Sequence, residues 1–443
     1  MLYFAGIIRL LVEETNRYYH QHLDRRQDGP SPRPDVTESE MFLFLGTIIQ
    51  RGHDNRDRLK DYWSTLEQFA TPFYSKTMKR NRFLHILRFL HFADNSAEID
   101  RNADSYDRLW KIRTIFDTLN DAFEKYYNPS EHLAIDEIIV KYKGRVVFRQ
   151  YIPKKHKRFG IKIFKICDAA GYTYDMKVYL GKDRTRASQD VTATHATVRD
   201  LCRRIEGVGH KLYMDNFFSS PDLFDELMTK NITCCGTVRP NRKGLPDDFR
   251  RRKFRLKIGD IRVRVRQNLT ALVWKEKRHV YMLTNMHSPP AEGSFSDEHG
   301  NAIKPAIVAN YNKHMGYVDK ADRMTNSYNI CRRTWKWTNK LFFHLLDLTI
   351  LNSYILLSSC GAKLSHREFR LAFVRTPAVS SGSFRIEEAK QQHWSTSSTS
   401  KLRCRVCSSR GKRRTVRIKC VKCDVGLCIS GCFQDFHAKP TFR

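Results

Sequence analysis

Between residues 133 and 237 the apolar pattern switches from strand to helix in an order that few folds accept. "LAIDEIIVKY" is rich in β-branched residues, and "VVFRQYI" follows a Lys143-Gly144 turn. "IKIFKICD" and "YDMKVYLG" flank a second turn, "AAGYT". "QDVTATHATVRDLCRRIEG" then reads as a helix ending at Gly207. "HKLYMDNFF" is a short strand. "SSPDLFDELMTKN" is a helix with Ser220 as its cap and Pro221 at its first position, and "TCCGTVR" is a further strand. The order β-β-β-α-β-α-β is that of an RNase H-like α/β domain. Fold order alone says little about function.

Carboxylates give that frame a chemistry. Asp136 sits in the apolar run "LAIDEII", with Glu137 turned to the opposite face. An aspartate there is costly unless it is paired or metal-bound. Asp215 ends "KLYMD", where an α/β sheet presents its ligand-binding groups. In "MGYVDKADRM", Asp319 and Asp322 share one face of a helix. A plain account of that last pair exists: acids suit a helix start, and Asp319 can pair with Arg323 for about 0.2–0.5 kcal/mol. Taken together, the four aspartates supply the carboxylates of a two-metal phosphoryl-transfer site for Mg²⁺, which prefers carboxylate oxygens.

The 443-residue chain carries 79 Lys+Arg against 47 Asp+Glu, a net charge of +32. A folded protein this basic is suited to a polyanion, nucleic acid first. No secretory signal is read in the apolar N-terminus, which Glu13 and Glu14 soon interrupt. The long apolar stretch at 341–359 holds His344, Asp347 and Asn352, each costly in lipid, so a buried helix and no membrane partner are expected. Reduced cysteines, and so metal ligation over disulfides, follow from the missing secretory signal.

The tail holds Cys404, Cys407, Cys420, Cys423, Cys428 and Cys432, followed by His437. Two C-x-x-C pairs twelve residues apart are a strong zinc signal. Seven ligands fall one short of two tetrahedral Zn²⁺ sites, and His393 is the nearest upstream candidate, with an exposed linker histidine as the rival account. Such a small module draws its folding energy from metal. Expected boundaries are 1–131 with 326–375 for a helical dimerisation and DNA-binding domain, and 132–240 with 305–325 for the catalytic domain. A β-rich insertion spans 241–304, a Ser/Thr-rich linker 376–400, and the zinc-binding cross-brace module 401–443. "TMKRNRFLHILRFLHFAD" places Phe83, Ile86, Leu87 and Leu90 on one helical face.

The blocks "LAIDEIIVKYKGR", "YIPKKHKRFGIKIFKICD", "LYMDNFFSS" and "GYVDKADRM", with the terminal Cys/His module, resemble the piggyBac-type transposases and the piggyBac-derived proteins of animal genomes. The likeness runs over nearly the whole chain, in order. It implies Asp136, Asp215 and Asp319 as a catalytic triad with two Mg²⁺ ions, and Asp322 as an accompanying fourth aspartate. It also implies cleavage of double-stranded transposon ends through hairpins, joining at TTAA, a homodimer and a nuclear protein. Lys154, Lys155, Lys157 and Arg158 in "PKKHKRFG" suit DNA backbone contact, as do Arg332, Arg333 and Lys336 beside Trp335 and Trp337. A charged surface loop is the plain account of either patch. Tyr317 stands where the family often has a second glycine. A start almost directly in the helical region suits a shortened or domesticated copy. The alternative function is therefore a domesticated, non-catalytic nuclear DNA-binding protein that keeps the transposase fold.

Overall fold

A strand whose two faces are both buried must lie inside a sheet that is covered on both sides. β1 (His132–Lys141) is such a strand: Leu133, Ala134 and Ile135 are buried on alternate faces, as are Ile138, Ile139 and Val140. The computed structural model describes residues 2–23, 33–97, 100–101, 103, 105–153, 157–181, 192–250, 255–330, 334–379, 395–420, 423–429 and 431–438. His393, Lys154, Lys155, Arg332 and Arg333 lie outside the described residues. The chain forms two units, Met1–Met41 with Leu84–His366 and Phe42–Phe83 with Arg367–Arg443.

Helices α1 (Leu2–Leu23), α2 (Glu38–Gln50), α3 (Pro72–Thr77), α4 (Arg80–Phe89) and α5 (Arg113–Lys125) precede β1. Then follow β2 (Gln150–Tyr151), β3 (Phe159–Asp168), β4 (Thr173–Val178), α6 (Ala193–Cys202), β5 (Lys211–Met214), α7 (Pro221–Thr229) and β6 (Thr233–Thr237). The order read from the sequence is present, with the expected strand "VVFRQYI" reduced to the two residues of β2. The rest of the expected strand "VVFRQYI" is turn. Phe148 is buried with its ring against Trp337, centroids 5.3 Å apart, and Arg149 donates to the carbonyls of Lys143 and Gly144, each at 2.9 Å. Ser220 and Pro221 do begin α7, but the Ser220 side chain makes no capping bond.

After α8 (Asp247–Arg250) come β7 (Asp260–Arg266), β8 (Leu269–Lys275), β9 (His279–Thr284) and β10 (Gly293–Ser294). These inserted strands extend the same sheet. Its order is β10-β7-β8-β9-β6-β5-β1-β3, with β2 and β4 both on β3. β5 runs parallel to β1 and β6, and β9 returns antiparallel to β6. One face carries Ala134, Tyr213, Cys235 and Met282, and α9 (Ala306–His314) covers it with Ile307 and Val308. α10 (Tyr317–Asn326) follows α9 and packs on β1 and β3.

α11 (Trp337–Ser359) is apolar all round, the signature of a buried helix. It is long and apolar enough to cross a membrane, yet 72% of its most apolar window is buried in the protein. Its polar residues are the ties. Asn352 bridges both backbone groups of Thr173, accepting from its N–H at 3.0 Å and donating to its carbonyl at 2.8 Å. Asp347 accepts from the N–H of Ile330 at 3.0 Å.

In the second unit, aromatic rings make the core around α3: Phe44 against Phe83 at 5.1 Å, Tyr62 against Tyr74 at 4.9 Å, and Trp63 against Phe83 at 4.9 Å. That unit also holds most of α12 (His366–Val379) and the cysteine module, in which β11 (Ser395–Arg403) pairs antiparallel with β12 (Thr415–Cys420).

Candidate active site and metal-binding cysteine module

Sheet register brings the first two aspartates together. Ile135 of β1 is paired with Met214 of β5 in parallel, so Asp136 and Asp215 are the next residues along neighbouring strands. Both are half-buried. Asp136 Oδ1 accepts from the N–H of Glu137 at 2.7 Å. Asp215 ends its strand as a turn: Oδ1 accepts from the N–H of Phe217 at 2.9 Å, and its carbonyl accepts from Ser219 Oγ at 2.9 Å. Gly236 on β6 permits this turn, because a Cβ there would lie 2.3 Å from Ser219 Oγ and 2.5 Å from the Met214 carbonyl oxygen. Burial pushes the Asp215 carboxyl above its ordinary range and Glu137 adds to the rise, while the Phe217 N–H opposes it. Tyr311 of α9 approaches this end of the sheet, its hydroxyl 3.4 Å from Thr237 Oγ1 on the strand beside β5. Its hydroxyl is pushed up to about 12, by burial first, with Asp215 and Asp136 adding to the rise.

The helix start that carries the other two aspartates is pinned over the β3–β4 turn. Lys320 Nζ donates to the Ala169 carbonyl at 2.7 Å. Gly171, at φ +89°, supplies the left-handed residue that this turn needs. Asp319 is exposed in the first turn of α10, and among the described residues it forms no ion pair with Arg323. Asp322 is half-buried and lies 3.4 Å from Lys157 Nζ. Among the described residues no three of these carboxylates bring their oxygens within 4.8 Å of one another. The donor set is all oxygen, which fits Mg²⁺.

The basic patches divide. Lys157 turns inward to Asp322 and to Asn326 Oδ1, also at 3.4 Å, whereas Arg158 is exposed. Trp335 is 76% exposed, and its carbonyl accepts from Tyr142 Oη at 2.6 Å. Lys336 donates to the Arg88 carbonyl at 2.7 Å and lies over the Tyr18 ring, and Trp337 packs on Phe148. Sequence reasoning passed over Glu137, Tyr311 and Lys165. For Lys165 a signal exists: the alternation Ile161, Ile163, Lys165, Cys167 puts a lysine on an apolar face.

The cysteine module is built by short-range turns. Cys404 caps the helix Arg405–Ser409, Cys420 ends β12, and Cys432 opens the helix Cys432–Ala438. The sulfurs of Cys404, Cys407, Cys428 and Cys432 all lie within 4.8 Å of one another, as do the ligand atoms of Cys420, Cys423 and His437. The first and third pairs thus meet in one cluster, and the second pair meets the histidine in the other, which is the cross-brace arrangement. Cys407 Sγ is 3.8 Å from Cys428 Sγ and 3.6 Å from Cys432 Sγ. A tetrahedron with Zn–S of about 2.3 Å has edges of about 3.8 Å, so the four thiols can bind zinc. His437 Nδ1 donates to the Phe433 carbonyl at 2.7 Å, which leaves Nε2 facing Cys423 Sγ at 3.6 Å. Burial acts to raise the Cys404 thiol, but backbone N–H groups of Cys407 and Cys428 outweigh it and bring it to about 7.

These features define the class, and comparison with known proteins narrows it. A family model described as Transposase IS4 matches residues 2–354. The chain is 24% identical to human PiggyBac transposable element-derived protein 5 over 83% of this chain and 71% of that one. It is 25% identical to human PiggyBac transposable element-derived protein 3 over 98% of this chain and 74% of that one. It also superposes on a piggyBac transposase, solved by cryo-EM in a synaptic complex with hairpin DNA, with TM-score 0.73 and 27% identity over 85% of this chain and 78% of that chain. The chain belongs to the piggyBac transposase family.

Proposed function

We propose that the chain is a metal-dependent DNA transposase that cuts double-stranded transposon ends through hairpin intermediates and joins them at TTAA. The carrying observation is the register that sets Asp136 beside Asp215 on parallel strands, with α10 laid over β1 and β3. Asp136, Asp215 and Asp319 would hold Mg²⁺, which supplies activation of the attacking oxygen and stabilisation of the leaving one. The chain's own part is placement. The sheet fixes two carboxylates, α10 brings the third, and Tyr311 closes the side next to Asp215. Exposed Arg158 and Trp335 are offered to phosphate and to an unstacked base. Dimerisation and a nuclear location accompany this reading. So does zinc in both cysteine clusters.

The test is a purified, zinc-loaded chain with Mg²⁺ and duplexes bearing the inverted repeats that flank its own gene. Nicking and hairpin formation are expected, and Asp136→Asn should abolish both while DNA is still bound. Equal cutting by the variant would defeat the metal-site reading. A second reading is a domesticated DNA-binding protein without cleavage. It draws support from the spread of the carboxylates, no three of which converge within 4.8 Å among the described residues. DNA binding without cleavage by the unaltered chain would favour it.

A further inference from the structure

β3 carries a lysine where its fold position calls for an apolar side chain. Lys165 is 0% exposed, and its Nζ has no hydrogen-bond partner among the described residues. An isolated ammonium without solvent is expensive, so a compensating charge is needed. In the strand register Lys165 stands opposite Asp136, and α10, which carries Asp322, packs on β3 and on α11; burial pulls the Lys165 amine below its ordinary range, and Cys167 and Asp322 oppose that fall. Asp322 already has Lys157 Nζ at 3.4 Å, and that amine is held in turn by Asn326 Oδ1 at 3.4 Å. On the α11 side stands His344, buried, with Nε2 unpartnered among the described residues. Its ring feels Lys165, Asp322 and Lys157, and burial holds it neutral. Lys157 thus touches the Asp322 carboxylate, and the buried nitrogens of Lys165 and His344 stand on the two elements, β3 and α11, against which its helix packs.

We propose that Asp322 is the counter-ion of a buried nitrogen cage made by Lys157, Lys165 and His344. In this arrangement Asp322 is a positioning residue, and its carboxylate is committed to the protein rather than to metal. This rests on the reading above, in which Asp136, Asp215 and Asp319 hold the ions. The cage locks α10 to β3 and thereby sets Asp319, one turn earlier on the same helix face, over β1. The two acids of "VDKAD" divide the work: one faces the ions, and the other anchors the helix that presents it.

Two measurements on the full-length, zinc-loaded chain test this. The first is thermal unfolding without added Mg²⁺ for Asp322→Asn, Lys165→Met and the double variant. Asp322→Asn should lower Tm by about 5 °C, because it leaves a buried ammonium without its counter-charge, and adding Lys165→Met should recover most of the loss. Should Asp322→Asn alone not fold, recovery of the fold in the double variant supports the cage, and failure to recover counts against it. The second is Mn²⁺ binding followed by electron paramagnetic resonance. Asp322→Asn should keep the unaltered chain's Mn²⁺ stoichiometry, while Asp319→Asn should lose it. A raised Tm for Asp322→Asn, additive Tm changes, or loss of Mn²⁺ on this substitution would overturn the proposal. If Asp136→Asn, Asp215→Asn and Asp319→Asn all bind Mn²⁺ normally, the metal-site reading fails instead, and the Tm coupling still judges the cage.

Discussion

The two regions suited to metal in this chain are assembled in opposite ways. The cysteine module draws its ligands from residues 404–437, and they stand gathered. The carboxylate site draws on residues from Asp136 to Asp322, through two strands and a helix, and no three of its acids converge within 4.8 Å among the described residues. The chemistry of the donors accounts for the contrast. Thiols pack as small apolar groups, so local turns can gather four of them. Carboxylates repel one another and resist burial. At Asp215, burial pushes the carboxyl up and Glu137 adds to the rise, against the Phe217 N–H. One region teaches what short-range turns can pre-form. The other shows how a sheet register delivers charges that local sequence cannot bring near each other.

The largest expected effect breaks that comparison at the module. Zinc chelation of the full chain should unfold residues 395–438, seen as rapid proteolysis there, and leave the main unfolding transition in place. A module that resists protease after chelation would mean that thiol packing alone holds it. Next comes the carboxylate side. Asp215→Asn should bring strand cleavage to background with the module's protease resistance unchanged, measured on the same preparation. A third change probes the sheet without touching either site. Asn352→Ala strands two buried backbone groups of Thr173 and should cost about 3 kcal/mol, read by denaturant unfolding. The smallest effect belongs to the surface. Trp335→Ala should weaken binding of DNA with unpaired bases about tenfold, with Tm unmoved, since its ring is exposed.

Much of this was legible in advance, and the exceptions have physical causes. The strand and helix order, the aspartate inside an apolar strand and the paired cysteines are local patterns, and each appears where the sequence puts it. "VVFRQYI" looked like a strand because apolar alternation cannot see Arg149 folding back onto Lys143 and Gly144. The insertion read as β-rich, but no local signal says that β9 will pair with β6. Lys157, Lys336 and Trp337 all read as surface groups. Lys157 and Lys336 are turned to protein partners, and Trp337 to Phe148. Lys165 was passed over although its place in the alternation was readable, and the helix packed on its strand, α10, lies more than 150 residues along the chain.

The sequence by itself determined the elements, the metal-ligand spacing of the tail and which acids are costly to bury. Those follow from the period of side chains along a strand or helix and from spacing within a turn. Only the tertiary structure decided which charges meet. Asp136 lies beside Asp215 because β5 runs parallel to β1, and Asp322 meets Lys157 because α10 packs on β3. Electrostatic partners are chosen by distance in space, and a one-dimensional pattern carries no record of it.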